Sequence, residues 1–344
     1  MEPSPLRRAL SALANRQSLS ESETAEVFAA VMSGEATPAQ VGALLMGLRT
    51  KGETADELAG AVRALRDAMV RVPAKGRYVV DTCGTGGGTV PTFNISTVAA
   101  FVAAGAGATV PKHGNRSFTS RCGSADVLEA LGVRIVLDAP SAAKVLQEAG
   151  VVFLFAPSFH PAMKHVGPAR RELGTPSLMN LVGPLANPAG VQRQVIGVAE
   201  RDRAGIVAQA LVRLGAEHAL VVHGRIGMDE ISPHGVTEVW EVKDGAVRTW
   251  EIDPERYRLR IADVGLLKGG EPAANAERVE KILANGSGDP PGLAAVLLNA
   301  GAAIYVAGIA GSLAEGIGRA REVVASGAAR AALDRLRKAT ASIS

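Results

Sequence analysis

Residues Tyr78-Val-Val-Asp-Thr-Cys-Gly-Thr-Gly-Gly-Gly88 decide the reading of the fold. Tyr78 to Asp81 has the character of a short strand, and Asp81 to Gly88 reads as the glycine-rich loop into which it runs. Ahead of this stretch no strand pattern occurs. Ser20-x-x-Glu23, Thr37-x-x-Gln40 and Thr54-x-x-Glu57 each match a capping box, Pro38 takes the first helical position behind Thr37, and Gly34 and Gly52 stand where helices stop. Residues 1–72 are therefore expected to form a small helical domain. Beyond the stretch the pattern alternates. It predicts a helix from about Asn94, a strand near 108–110, a helix over 124–131, a strand over 133–137, a helix over 141–149, a strand over 151–155, a helix over 202–214 and a strand over 219–223. Residues 237–242 and 246–252 flank Asp244-Gly245, a hairpin signal for an antiparallel addition at the sheet edge. Helices over 273–284, 293–307 and 313–326 complete the chain. The expected fold class is α/β: a mainly parallel sheet flanked by helices over residues 73–344, with a small all-α N-terminal domain.

The chain of 344 residues is 47% hydrophobic but only 3% aromatic, so Ala, Val, Leu and Ile must fill its cores. A net charge of +3 is compatible with an anionic ligand and is weak evidence for nucleic acid, so no nucleic-acid partner is expected. Cys83 and Cys122 lack metal-ligand spacing and give no disulfide framework; both read as small gap-filling residues in a reducing cytosol. No apolar segment of a secretory leader stands near Met1, and a cytoplasmic location is expected. Gly292 to Ala314 is uncharged and long enough to span a bilayer, but Asn299 and its many Gly and Ala residues suit a buried helix, so no membrane partner is expected.

Ligands of open α/β sheets bind at the carboxyl ends of strands. Gly84, Gly86, Gly87 and Gly88 follow such a strand, and glycine lets backbone N–H groups approach an anion without Cβ clashes. Asn94, Ser96 and Thr97 then open an uncharged helix, whose free N–H groups favour phosphate. The motif is neither GxGxxG, since Thr89 holds the third glycine position, nor a P-loop, since no Gly-Lys-Ser/Thr follows. One β-α-β step on, Lys112-His-Gly-Asn-Arg-Ser-Phe-Thr-Ser-Arg-Cys-Gly-Ser-Ala-Asp126 is too polar for a core element. Lys112, Asn115, Arg116, Ser117, Ser120 and Ser124 supply donors suited to phosphate, although Ser124 also sits at a helix start, where plain N-capping competes. Asp229-Glu230 is an acidic pair whose mutual repulsion a hard cation such as Mg2+ relieves. His160 follows a strand end, and Arg170, ten residues on, is a natural bidentate partner for a carboxylate, though beside Arg171 it also fits a solvated helix face.

Gly84-Thr-Gly-Gly87, Thr92-Phe-Asn-Ile-Ser-Thr97, Lys112-His-Gly-Asn-Arg-Ser117, Gly123 to Gly132, Phe159 to Val166, Arg170 to Gly174 and Gly183-Pro-Leu-Ala-Asn-Pro-Ala-Gly190 together resemble the anthranilate phosphoribosyltransferase family. The resemblance implies a nucleoside phosphorylase/phosphoribosyltransferase-like fold, with helices around 166–186 joining the small domain. It also implies a homodimer through that domain. The implied reaction transfers the phosphoribosyl group of phosphoribosyl pyrophosphate to the amine of anthranilate, with Mg2+, in tryptophan biosynthesis. By position, the resemblance assigns Gly84, Gly87, Gly88, Thr92, Asn94, Ile95, Ser96, Thr97, Lys112, His113, Gly114, Asn115, Arg116, Ser117, Ser120 and Ser124 to phosphoribosyl pyrophosphate. Anthranilate is assigned Gly84, Asn115 and Arg170, with His113, His160 and Pro184 lining its path; Ser96, Asp229 and Glu230 are assigned to Mg2+. No residue is assigned as an essential base; His113 and Lys112 are candidates for shaping and electrostatics.

The family usually reads GTGGDG where this chain has Gly84-Thr-Gly-Gly-Gly88-Thr89, so one carboxylate beside the phosphates is missing, and an altered Mg2+ dependence is expected. Ala186 replaces a usual threonine, Cys83 a usual valine or isoleucine, and Cys122 often a serine. Two other readings fit parts of the pattern: a pyrimidine nucleoside phosphorylase-like enzyme, and a non-catalytic relative that binds nucleic acid. The Lys112–Ser117 loop and Arg170 favour a pyrophosphate donor and a carboxylated acceptor over the first. The low net charge and the presence of Asp229, Glu230, Asn115 and Arg170 weigh against the second.

Overall fold

The computed structural model describes residues 4–117 and 121–343. Four helices open it: α1 (Pro5–Ala14), α2 (Glu21–Met32), α3 (Pro38–Lys51) and α4 (Ala55–Asp67). All three expected capping boxes form: the hydroxyls of Ser20, Thr37 and Thr54 accept from the N–H groups of Glu23, Gln40 and Glu57, whose side chains accept the cap N–H in return.

The sheet strands are β1 (Asp81–Gly84), β2 (Val110–Gly114), β3 (Val151–Phe155), β4 (Arg193–Gly197), β5 (His218–Gly224), β6 (Thr237–Lys243) and β7 (Ala246–Ile252). Their order is β1-β4-β5-β6-β7, parallel as far as β5 and antiparallel beyond it, while β2 and β3 pair in parallel. A parallel bridge between Val79 and Thr109 joins the two groups. Covering helices are α5 (Ile95–Gly105), α6 (Ser124–Ala130), α7 (Ala139–Ala149), α8 (Ala156–Phe159), α9 (Gly167–Leu173), α10 (Met179–Leu185), α11 (Arg201–Arg213), α12 (Pro272–Ala284), α13 (Pro290–Ala307), α14 (Leu313–Ala325) and α15 (Ala328–Ala341). The hairpin at Asp244-Gly245 is the expected edge addition, and the fold is the expected α/β class with an N-terminal helical domain.

Three expectations need correction, and two elements add to them. The first strand begins at Asp81 rather than Tyr78 and runs into Gly84, and the second lies at Val110–Gly114 rather than near 108–110, so Lys112 and His113 are strand residues. Residues 133–137 form no strand. Val133, Ile135 and Leu137 are buried and their neighbours exposed, as a strand would have it, but the segment lies against α15, where the Arg134 N–H reaches Thr340 Oγ1 at 3.4 Å instead of a ladder. β4 and α15 were not anticipated. β4 is held by partners at residues 81–84 and 218–222, a non-local pairing that its own five residues do not announce.

Alternation along β5 splits the interior in two. Ala219 and Val221 face a core shared with α1–α4, α9, α10 and α11, whereas Leu220 and Val222 face one built from α5, α12, α13, α14 and α15. α13 is long and apolar enough to cross a membrane, but most of it is buried inside this second core. The parallel strands end along one edge, and the loops after β1, β2, β4 and β5 meet there.

Candidate active site

The loop after β1 is a backbone cradle. Gly86 and Gly87 both take left-handed conformations, with φ of 69° and 78°, and a Cβ at either would meet nothing within 4 Å. Glycines in such a turn leave the main chain open to close approach by an anion. Its rim is tied to the loop after β5: the Thr89 N–H donates to the Gly227 carbonyl at 2.9 Å, and the Gly86 N–H donates to Asp229 Oδ2 at 2.9 Å. Gly88 is packed rather than free, since a Cβ there would lie 3.0 Å from Asp229 Oδ1 and 3.1 Å from the Gly227 carbonyl.

The acidic pair meets the start of α5. Glu230 Oε1 accepts the Ser96 N–H at 3.2 Å, one of the free N-terminal donors of that helix. Lys112 is 3% exposed and donates to the Thr82 carbonyl at 2.5 Å and to Ser96 Oγ at 3.3 Å. Its ammonium therefore forms part of the floor beneath the loops. Burial and the Asp229 charge push Glu230 well above the ordinary carboxylate range, partly offset by Lys112, and burial also raises Asp229. Two crowded carboxyls held above their ordinary range are suited to a divalent cation, whose charge offsets both burial and repulsion. Among the described residues no three His, Cys, Asp or Glu side chains gather as a metal site. Two carboxylates and the Ser96 hydroxyl fit Mg2+, which keeps waters and substrate phosphates among its ligands.

Beneath the second loop, Asp81 is fully buried and accepts from Asn187 Nδ2 at 2.7 Å and from the His113 N–H at 3.3 Å. Asn187 also donates to the Pro111 carbonyl at 2.8 Å, locking β1 to β2. The rings of His113 and His160 lie 5.0 Å apart, 7% and 5% exposed. Among the described residues, His113 Nε2 and both ring nitrogens of His160 are buried without a hydrogen bond of good geometry, although backbone groups of Gly183 and Ala186 offset a little of the burial. Burial, then the neighbouring His160 and Lys112, lower His113 to about 3; burial lowers His160 to about 4. Both rings are neutral at physiological pH. Pro184 is buried, its carbonyl accepting from Gln194 Nε2 at 2.9 Å.

The other sequence candidates separate by what their side chains already hold. Asn115 Oδ1 accepts the Arg116 N–H at 2.8 Å, while its amide hydrogens have no partner among the described residues. Arg116 is turned onto Asp126 at 2.8 Å and Glu129 at 2.6 Å, so its guanidinium is already paired. Ser117 donates its N–H to Asp126. Ser124 opens α6 and donates to the Asn115 carbonyl at 3.2 Å rather than capping; the cap N–H of Gly123 is taken by Asp126 at 2.8 Å. Gly114 admits that arrangement, because a Cβ there would lie 2.4 Å from Ser124 Oγ. Ile95 turns its side chain into the core and its N–H onto the Phe93 carbonyl at 2.7 Å, leaving nothing but its carbonyl for a ligand. Thr97 Oγ1 is buried and unpartnered among the described residues. Asn94 is clamped between the Cys122 carbonyl at 3.1 Å and Asn275 Nδ2 at 3.0 Å. Thr92 and Gly84 are half-buried at the loop ends. Ser120 lies outside the described residues. Arg170, on α9, is half-buried with no ion pair or side-chain hydrogen bond among the described residues, and burial lowers its pKa. An unpaired cation in that setting is ready for an anion. No hydrogen bond links it to Asn115 or His113; α9 packs on α3, on the helical side.

Asp81, Thr82, Asn187 and Asn275 were not singled out from the sequence as site residues. A carboxylate at the end of an apolar run was the one visible cue to Asp81; the others gain their meaning from partners 14 to 181 residues away.

Comparison with known proteins accords with this geometry. The helical bundle domain of a glycosyl transferase family matches residues 7–69, and the a/b domain of the same family matches residues 76–330. The anthranilate phosphoribosyltransferase of Laribacter hongkongensis is 47% identical over 331 residues, 96% of each chain. That of Anaeromyxobacter dehalogenans is 49% identical over 335 residues, covering 97% of this chain and 98% of the relative. The crystal structure of anthranilate phosphoribosyltransferase from Thermus thermophilus superposes with a TM-score of 0.92 at 42% identity, over 97% of this chain and 99% of that one. The Saccharomyces cerevisiae enzyme in complex with PRPP and Mg superposes at 0.90 with 26% identity, over 99% of both chains. With near-complete coverage on both sides, the chain belongs to the anthranilate phosphoribosyltransferases of the glycosyl transferase family.

Proposed function

We propose that this chain joins anthranilate to phosphoribosyl pyrophosphate, displacing pyrophosphate from the ribose C1 carbon, as a step of tryptophan biosynthesis. The observation that carries the reading is the meeting of the Gly86–Gly87 cradle, the Asp229-Glu230 pair and the start of α5 at one sheet edge. Its relatives favour this reading over a pyrimidine nucleoside phosphorylase or a nucleic-acid-binding protein.

The amides of the glycine loop and the positive dipole end of α5 would receive the phosphates, with Lys112 supplying positive charge from below. Asp229, Glu230 and Ser96 would hold Mg2+, which when bound neutralises the departing pyrophosphate. Bond breaking at C1 runs ahead of bond making, so stabilising the leaving group and aligning the acceptor supply most of the acceleration. Arg170 and the Asn115 amide would orient the acceptor carboxylate and ring. The acceptor amine is neutral at pH 7 and needs no strong base. His113 and His160, held neutral, offer unpartnered nitrogens that shape its path rather than remove a proton. A homodimer through the helical domain, a division into residues 1–72 and 73–344 with helices around 166–186 joining the former, and a cytoplasmic location belong to the same proposal.

The deciding assay follows anthranilate fluorescence on addition of phosphoribosyl pyrophosphate and Mg2+. A loss of signal that requires all three components is expected; no loss at any Mg2+ concentration would overturn the reading.

A further inference from the structure

We propose that Asn299 is a positioning residue for the Asp229-Glu230 pair, holding both carboxylates in register through the backbone of Ile231. The inference rests on reading that pair as metal ligands. Asn299 is 2% exposed in α13, whose other side chains are apolar except for Tyr305. Its Oδ1 accepts the Ile231 N–H at 2.9 Å, and its Nδ2 donates to the Ile231 carbonyl at 2.9 Å and to the Ala295 carbonyl at 2.9 Å. An asparagine that only relieved its own helix would stop at the Ala295 carbonyl. This one also binds both main-chain groups of a residue 68 positions away, as a neighbouring strand would.

Ile231 directly follows Glu230 and lies in no strand. Met228 and Ile231, both fully buried, bracket the acidic pair. The upstream end is fixed by the Gly224 N–H on the Met228 carbonyl at 2.9 Å, and the Asp229 carbonyl is pressed so closely on Gly197 of β4 that a Cβ there would lie 1.7 Å from it. Downstream, the Ser232 N–H is taken by Thr237 Oγ1 at 2.9 Å. Asn299 therefore closes the gap between two anchored segments at the residue after the second carboxylate. Without it, the Ile231 N–H and carbonyl would be buried and unpaired, and the peptide would turn to seek partners. Mg2+ demands near-ideal geometry, so a small rotation of that peptide loosens the site.

The test is Asn299→Leu, which keeps the branched shape and removes the hydrogen bonds. With phosphoribosyl pyrophosphate present, half-saturating Mg2+ for turnover and the Mn2+ dissociation constant read by electron paramagnetic resonance should each rise about 10- to 100-fold, the usual size for losing an outer support of a metal site. The KM for anthranilate should stay within about twofold, since no acceptor contact changes. A folded leucine variant with wild-type metal dependence would overturn the proposal. If that variant does not fold, hydrogen exchange on the unsubstituted, metal-free protein decides. The Ile231 amide should be protected at least about a hundredfold, and exchange at loop-like rates would count against Asn299 as its anchor. Absence of any divalent requirement in the unsubstituted enzyme would instead sink the reading of Asp229 and Glu230 as ligands.

Discussion

Acidification should destabilise this fold through the His113–His160 pair. In the folded protein the rings titrate at about 3 and about 4, against an ordinary value of 6.5. Between those limits the unfolded chain binds more protons than the folded one, so stability is full above pH 6.5 and falls as pH drops, down to about 3. At pH 5 both rings remain neutral in the fold, while their unfolded counterparts are almost wholly protonated. Each ring then forfeits about 2 kcal/mol, and the pair about 4 kcal/mol, a large share of a typical domain's stability. Urea unfolding at pH 7 and pH 5 gives the loss for the unsubstituted chain and for His113→Asn/His160→Asn. Carboxylates titrate in both proteins, so the difference between the two losses isolates the rings. Nitrogen-15 chemical shifts should also report neutral imidazoles at pH 5. Equal losses in the two proteins, or protonated rings at pH 5, would refute the reasoning.

Restoring a carboxylate by Gly88→Asp should lower half-saturating Mg2+ on the order of tenfold, because the new group stands beside Asp229 and adds attraction for the cation; identical Mg2+ titrations would sink this. Arg170→Ala should raise the anthranilate KM by about 30-fold, roughly 2 kcal/mol for a lost charge-assisted pair, with kcat and the donor KM little changed. A fall in kcat at unchanged KM would contradict that role. Arg203 of α11 binds Glu53 through two bonds of 2.9 and 3.1 Å, both side chains buried. Arg203→Met should cost about 3–5 kcal/mol in urea unfolding, and adding Glu53→Met should recover most of it; a single variant as stable as the parent would show that the pair is not coupled.

The local signals were legible wherever the cause is local. Ser20, Thr37 and Thr54 each bond a residue three positions on, so a capping box is complete within four letters. Asp244-Gly245 likewise specifies its own turn, with φ of 52° and 73°. The segment 133–137 shows the limit of such reading. Alternating burial states which side chains point inward and says nothing of what lies opposite, and here a helix lies there instead of a strand.

The sequence by itself determined the alternation of elements, the glycine cradle, the acidic pair and the family. These rest on short-range backbone preferences and on residue types whose chemistry is fixed before folding. Tertiary structure alone decided which candidates are free to meet a ligand. Arg116 is spent on Asp126 and Glu129, Lys112 is built into the floor, and Arg170 is unpaired among the described residues. It also decided that Asp81, Asn187 and Asn299 brace the glycine loop's neighbours. Whether a side chain is available depends on who else reaches it: the partners of Arg116 stand 10 and 13 residues on, whereas those of Lys112 and Asp81 arrive from 16 to 106 positions away, when the sheet and its helices close.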